Sequence, residues 1–150
     1  MKCKFSDKKL SKQLLNTTWI VPTRTLEAYT YTNNVIVKVA DQTVWTIDRY
    51  SNGYFFGDSY TAFDAVPTVH TKLLGSVTPF GDVLISFYSE DNNVSGFGTF
   101  DGCEFIMQMN TVSTINAAHW SYMISVRPGD IFYESLPSLG ISVPTFISQF

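Results

Sequence analysis

Charged residues are scarce in this chain of 150 amino acids. Asp, Glu, Lys and Arg together make up 15% of the sequence, and the formal net charge at pH 7 is −3. An average soluble protein carries about 25% charged residues. No cluster of Lys and Arg follows the N-terminal segment, and such a cluster is what neutralises a phosphate backbone. We therefore do not expect nucleic acid as a partner.

Cysteine and the common catalytic motifs are scarce as well. The two cysteines, Cys3 and Cys103, cannot form a disulfide framework. The chain has no Gly-rich phosphate loop that opens a helix and no Gly-x-Ser-x-Gly elbow, so the sequence does not support serine-hydrolase or phosphate-loop chemistry. We expect neither a metal nor a cofactor.

Long apolar runs are missing too. No segment approaches the ~18 apolar residues of a membrane-spanning helix. The first nine residues, MKCKFSDKK, have no apolar stretch behind their charges, as a signal peptide would have. We therefore expect a cytoplasmic protein without a membrane span, although a secreted protein whose signal peptide had been removed would look the same.

Turn signals are what the chain does contain. Between residues 25 and 127, short runs of aromatic and β-branched residues alternate with turn residues. Asn-Gly and Asp-Gly favour hairpins because both central residues of a type I′ turn need a positive φ. The pattern predicts one all-β domain over residues 1–150, an antiparallel meander barrel of about eight to nine strands. In this meander we expect residues 35–39 and 43–50 to form two separate strands. The turn signals are Asn33-Asn34, Asn52-Gly53, Pro79-Phe80-Gly81-Asp82, Asp91-Asn92-Asn93, Asp101-Gly102 and Pro128-Gly129-Asp130.

The two ends of the chain differ from this β region. Ser6 followed by a leucine stripe predicts a short N-terminal helix over about residues 7–15. Residues 131–150 form an apolar tail with a single charged residue, Glu134. We expect this tail to pack across the barrel, to close one end of it, or to exchange into a partner subunit.

The predicted strands suggest a ligand pocket. Side chains alternate between the two faces of a strand, and several strands here carry large apolar groups and polar tips on both rows. Such mixed rows are typical of a barrel interior that holds a small, partly apolar ligand, and also of a barrel wall buried in an oligomer. The candidate ligand-binding residues are Trp45, Arg49, Tyr54, Phe56, Tyr60, Met107, Gln108, His119, Trp120 and Tyr122.

One further pattern runs along the whole chain. It consists of a short N-terminal helix, a Trp on the first strand (Trp19), a meander and a late strand that ends in Arg127. This arrangement resembles the calycins, the group of lipocalins, fatty-acid-binding proteins and avidins. The resemblance implies a small-molecule-binding barrel in which Arg127 packs on Trp19 as a cation–π pair at the closed end. The lipocalin Gly-x-Trp motif is replaced here by Thr17-Thr18-Trp19, and the disulfide of the secreted members is absent.

Two other functions remain open at this point. The first is a barrel enzyme, an isomerase, lyase or hydrolase, in which His119 works with Asp58 or Glu104 as acid and base. The second is an oligomeric structural or interaction protein, a homodimer formed through the tail at 131–150. The sequence alone does not decide between these functions and ligand binding.

Overall fold

The computed structural model describes residues 3–22, 27–90, 93–111 and 117–150. The described residues contain three helices and nine strands. The helices are α1 (Asp7–Leu14), α2 (Ile131–Glu134) and α3 (Val143–Ile147), and the strands are β1 (Thr17–Ile20), β2 (Glu27–Thr32), β3 (Val35–Ser51), β4 (Tyr54–Phe63), β5 (Val66–Val77), β6 (Asp82–Tyr88), β7 (Asn93–Phe100), β8 (Glu104–Thr111) and β9 (Ala117–Val126).

The strands close into one antiparallel barrel. From β2 to β9 each strand pairs with the next along the chain. Two short strands then fill the gap between β9 and β3, because β1 and β2 each pair with both of them at different heights. Nine strands thus occupy eight positions around the barrel, which confirms the predicted fold class. The topology is also consistent with the calycin resemblance.

Several hairpins turn where the sequence predicts. Asn33 and Asn34 have φ angles of 50° and 63°, and Asn52 and Gly53 have 47° and 86°. These are the positive values that a type I′ turn requires. The turn between β4 and β5 is different, because its second residue is Ala65 at φ 66°. Alanine is disfavoured in this conformation, so composition did not mark the turn.

Strand β3 is longer than predicted. The sequence suggested two strands, 35–39 and 43–50, with a break between them, whereas the structure has one strand of 17 residues. Its middle carries Asp41 and Gln42, which are 2% and 1% exposed. In the sequence, these two polar residues suggest that the strand is interrupted, but in the structure the strand continues through them.

The barrel interior is a single apolar core, closed at one end by α1. Ser6 caps the helix by accepting a hydrogen bond from the Lys9 N–H at 3.2 Å, as predicted. Leu10 and Leu14 bury their side chains against the interior core. The Tyr50 hydroxyl donates to Asp7 at 2.7 Å, which ties the helix to the end of β3. Burial and this hydrogen bond raise the pKa of Tyr50 to about 12.

A second core lies outside the barrel, under the C-terminal tail. Leu136, Val143 and Phe146 are buried against Ile20 and Val44, whose side chains point outward from β1 and β3. The sequence left three positions open for the tail, and the structure shows the tail packed on the outer wall of its own barrel. Dimerisation through residues 131–150 stays a prediction.

The resemblance implies a contact between Trp19 and Arg127, and this prediction is wrong. Trp19 is 1% exposed, and its ring meets Phe105 edge-on, with the ring centroids 4.7 Å apart. Arg127 lies just after β9 and is exposed. Among the described residues, the cation–π contacts all involve phenylalanine rings. Trp19 is therefore held by neighbouring aromatic rings and not by a cation.

Candidate functional site

A small cavity opens inside the barrel at the end opposite α1. We call it the mouth cavity, and its volume is about 60 Å³. One ordered water needs roughly 10–15 Å³ by this measure, so the cavity has room for a few waters or a small chemical group. It is lined by Thr43, Trp45, Ser59, Thr61, Phe63, Thr68, Val69, Thr71, Phe87, Val94, Met109 and His119.

The mouth cavity exists because the side chains on the inward rows become smaller along the barrel. Toward α1 these rows carry Phe55, Phe100 and Phe105, which fill the interior. Toward the mouth the same inward rows continue with small polar residues such as Ser59 and Thr71. Small side chains at facing positions leave space that the large rings fill at the other end.

A buried acid and a histidine meet at the mouth cavity. The Asp41 Oδ2 atom lies 3.7 Å from the His119 Nε2 atom, and their side chains are 3% and 8% exposed. The Thr43 hydroxyl donates to Asp41 Oδ1 at 2.8 Å and lies 3.0 Å from the Thr61 hydroxyl. Burial raises the pKa of the Asp41 carboxyl, and His119 and Thr43 only partly offset that shift.

Two buried nitrogen atoms of the lining have no hydrogen-bond partner among the described residues. They are Trp45 Nε1 and His119 Nδ1. An indole N–H can only donate, whereas the imidazole nitrogen donates or accepts according to its tautomer. Leaving a buried polar group unpaired costs about 1–3 kcal/mol, so such groups call for an explanation. Both atoms belong to residues that line the mouth cavity, where a ligand or water can pair with them.

Only some of the predicted ligand-binding residues lie inside the barrel. Trp45 and His119 line the mouth cavity. Met107 is buried in the interior core but does not line the cavity. Tyr122 shares an outward row with Trp120, but it is half-buried and packs against the interior core. The placement of the remaining residues inside the barrel is wrong, because they lie on the outward rows: Arg49, Tyr54, Phe56, Tyr60, Gln108 and Trp120.

Two physical reasons account for these misplacements. Alternation groups residues into rows, but it does not say which row faces inward, and on β4 the inward row is the one that contains Phe55. On β3 a register shift between Ile47 and Arg49 breaks the alternation. Arg49 therefore points outward, where its guanidinium carbon lies 4.8 Å from the centroid of the Phe56 ring.

The acid partners predicted for His119 are also wrong. Asp58 lies on the outer face, where it accepts from Lys72 at 2.8 Å and pairs with His70 at 2.9 Å. Glu104 begins β8, whereas His119 pairs with Met109 near the end of that strand. At the usual rise per residue this separation is about 17 Å. The acid that does lie beside His119 is Asp41.

The sequence contained a usable signal for Asp41. The segment 40–42 has no Gly, Pro or Asn, so no turn residue separates the two predicted strands. A continuous strand would place Asp41, Thr43 and Trp45 on one row. An acid on the same row as a core tryptophan indicates a buried polar site.

Comparison with known protein families, with characterised proteins and with solved structures finds no match to this chain. None of the described helices is both long and apolar enough to cross a membrane. The described residues also contain no group of three or more His, Cys, Asp and Glu side chains that could hold a metal ion. The geometry of the mouth cavity is therefore the basis for an assignment.

Proposed function

We propose that this protein binds a small, partly apolar molecule in the mouth cavity. The observation that carries the proposal is the pair of unpartnered nitrogen atoms, Trp45 Nε1 and His119 Nδ1, in the lining of an interior cavity. A binding pocket commonly combines an apolar wall with a few polar groups that fix the orientation of the ligand. Phe87, Val94 and Met109 supply the apolar wall here.

The chemistry of the lining suggests what the ligand contains. The Trp45 N–H needs an acceptor, such as a carbonyl or hydroxyl oxygen. The Asp41 carboxyl group lies next to His119. This acid favours a ligand group that is neutral or donates a hydrogen bond over a negatively charged one. The cavity volume of about 60 Å³ limits the enclosed part of the ligand to a few heavy atoms. A larger molecule would extend past Phe63 and Thr68 toward the barrel end.

A thermal-shift screen against metabolites and fatty acids tests this proposal. A ligand that binds only the folded protein, at a hundredfold over its Kd, adds about 2.7 kcal/mol of stability. For a protein of this size that corresponds to a rise in Tm of roughly 5–10 °C. Compounds that join a carbonyl or hydroxyl oxygen to a short apolar tail are expected to give the largest shifts. A stable protein that responds to no compound contradicts the proposal.

The variant Trp45→Phe tests which groups bind the ligand, because it removes the N–H and keeps an aromatic ring. We expect about a tenfold loss of affinity, since one hydrogen bond to a buried donor is lost. Trp120→Phe is the matched control, because Trp120 is 55% exposed on the outer wall. Equal affinities for the two variants would place the ligand elsewhere.

The Asp41–His119 pair favours acid–base catalysis as a second candidate function. A buried carboxyl group beside an imidazole can orient the ring, and the His119 Nδ1 atom, which has no partner among the described residues, can then exchange a proton with a bound molecule. The test is to incubate each compound found in the screen with the protein and to follow its conversion by mass spectrometry. Catalysis predicts that Asp41→Asn still binds the compound but no longer converts it. If the unmodified protein converts nothing, binding alone remains.

A further inference from the structure

A groove on the outer wall of the barrel has no lining residue from the C-terminal tail, and it shares Met109 and His119 with the lining of the mouth cavity. It spans β2, β7, β8 and β9 and has a volume of about 660 Å³. Three aromatic side chains stand along it: Tyr29, Phe97 and Trp120, which are 53%, 60% and 55% exposed. We call it the aromatic groove. Because aromatic rings usually bury much of their area, three exposed rings around one groove suggest a binding surface.

The strand register fixes how the rings are arranged. Phe97, Gln108 and Trp120 lie side by side on β7, β8 and β9. Adjacent strands are about 4.8 Å apart, so the two rings stand roughly 10 Å apart across Gln108. In the neighbouring row, Ala118 pairs with Tyr29. The small Ala118 side chain lowers the floor between the Trp120 and Tyr29 rings.

The described residues between the rings of the aromatic groove are mostly polar. Ser95, Gln108 and Asn110 line the groove, and their side chains are exposed and form no hydrogen bond with other described residues. An amide offers two donors and an acceptor in one plane. Glu27, the one carboxylate among the described lining residues, pairs with Lys38 at 3.4 Å. Among the described residues that line the groove there is no lysine or arginine, so these residues offer no counter-charge to phosphate and other polyanions.

We propose that the aromatic groove binds a neutral oligosaccharide. The C–H faces of sugar rings carry a weak positive potential and stack on the negative faces of aromatic rings. The hydroxyl groups at the sugar edges both donate and accept, which suits the unpaired amides of Gln108 and Asn110. A purely apolar protein partner would leave these amides buried without partners, and that is unfavourable.

Fluorescence quenching of the unmodified protein tests this inference directly. Trp19 and Trp45 are 1% and 0% exposed, so among the three tryptophans iodide should quench Trp120 almost alone. The probes are hexasaccharides of glucose, N-acetylglucosamine, xylose and mannose at millimolar concentration, with heparin as the polyanionic comparison. At least one neutral hexasaccharide is expected to protect Trp120 severalfold from iodide, and heparin is expected to give no protection.

Variants then locate the binding surface by calorimetric titration of the protective hexasaccharide. Trp120→Ala and Gln108→Ala are each expected to weaken binding about tenfold, because a stacking platform or a bidentate amide is lost. Tyr54→Ala and Gln149→Ala are matched controls, since both residues are exposed and lie outside the groove. Unchanged binding in the groove variants, or weakened binding in the controls, overturns the proposal.

Three further results also overturn it: no protection by any neutral hexasaccharide, protection by heparin alone, and shielding of Trp120 that grows with protein concentration. Sedimentation velocity identifies the last case, in which a second copy of the chain covers the groove. Although the groove and the mouth cavity share Met109 and His119, variants at residues that line only one of them distinguish the two sites. Trp45→Phe weakens ligand binding in the cavity and leaves saccharide binding unchanged, and Trp120→Phe still binds the cavity ligand.

Discussion

The two ends of the barrel interior are built from different side chains. Beneath α1, the rings of Trp19, Phe100 and Phe105 pack with centroids 4.7 to 5.8 Å apart. At the mouth, Thr43, Thr61 and their neighbours leave a cavity of about 60 Å³ beside the Asp41–His119 pair. The first arrangement maximises buried apolar area. The second leaves buried polar groups without partners, which is the arrangement expected where a ligand binds.

The largest expected effect tests the closed end. Phe105 is fully buried and contacts the rings of Trp19, Trp45, Phe55 and Phe100. Phe105→Ala should lower the free energy of unfolding by about 3–5 kcal/mol, because it leaves a cavity in a packed aromatic cluster. Urea denaturation measures the loss. The neighbouring Ile106 is 47% exposed, so Ile106→Ala should cost roughly 0.5 kcal/mol or less. Equal costs would show that the closed end is not the stabilising core.

The next effect concerns the buried acid at the mouth. Burial raises the pKa of Asp41 above its ordinary value of 3.8, so the folded protein binds this proton more tightly than the unfolded chain does. The free energy of unfolding should therefore fall as the pH rises from 3.8 through the folded-state pKa, by about 1.4 kcal/mol for each pH unit between those two values. Asp41→Asn should remove this fall. Urea denaturation between pH 4 and 7 measures it, and a parallel pH profile in both proteins would contradict the assignment.

Asp58 on the outer wall should show the opposite pH dependence. Burial alone would raise the pKa of Asp58, but the hydrogen bonds from Lys72 and His70 outweigh it and lower the pKa below 3.8. Its contribution to stability is therefore present above pH 3.8 and is lost as the pH falls through the lower folded-state pKa. Because Lys72 is 71% exposed, Asp58→Asn should cost only about 0.5–1 kcal/mol at pH 7. A difference between Asp58→Asn and the unmodified protein that stays constant down to pH 2 would exclude this role.

The smallest effect concerns the turn that the sequence did not mark. Ala65 has a φ angle of 66°, and an alanine in this region costs about 1–2 kcal/mol that glycine does not. Glycine loses more chain entropy on folding, so Ala65→Gly should stabilise by roughly 0.5–1 kcal/mol. Ala118→Gly, on the exposed face of β9, should destabilise by a similar amount. Thermal unfolding compares the two, and a loss of stability in Ala65→Gly would contradict the strained turn.

The fold could be predicted wherever the signal was local. Asn52-Gly53 marks its hairpin because the two residues tolerate the positive φ values that the turn demands. Ser6 and the leucine stripe mark α1 because capping and helical periodicity act within a few residues. The turn at Ala65 could not be predicted, because alanine is disfavoured at the positive φ that the turn adopts. The unbroken course of β3 through Asp41 was missed for another reason, because buried polar residues in a strand resemble a break although segment 40–42 contains no turn residue.

The candidate site was predictable only in part. His119 and Trp45 were identified because His and Trp on a strand row are chemically distinctive, and both line the mouth cavity. Tyr54, Tyr60 and Trp120 have the same composition signal, yet they point outward. Which row faces inward depends on barrel closure and on the register shift after Ile47, and neither leaves a local mark.

The sequence by itself determined the turns at Asn33-Asn34 and Asn52-Gly53, the position of α1 and the antiparallel meander, because these depend on backbone preferences and on neighbours along the chain. Only the tertiary structure decided that Asp41 meets His119, that the tail covers its own outer wall, and that three aromatic rings surround a groove with a polar floor. Each of these features joins strands that are distant in sequence. Their positions are set by the closure of the barrel, which fixes the register of every strand at once.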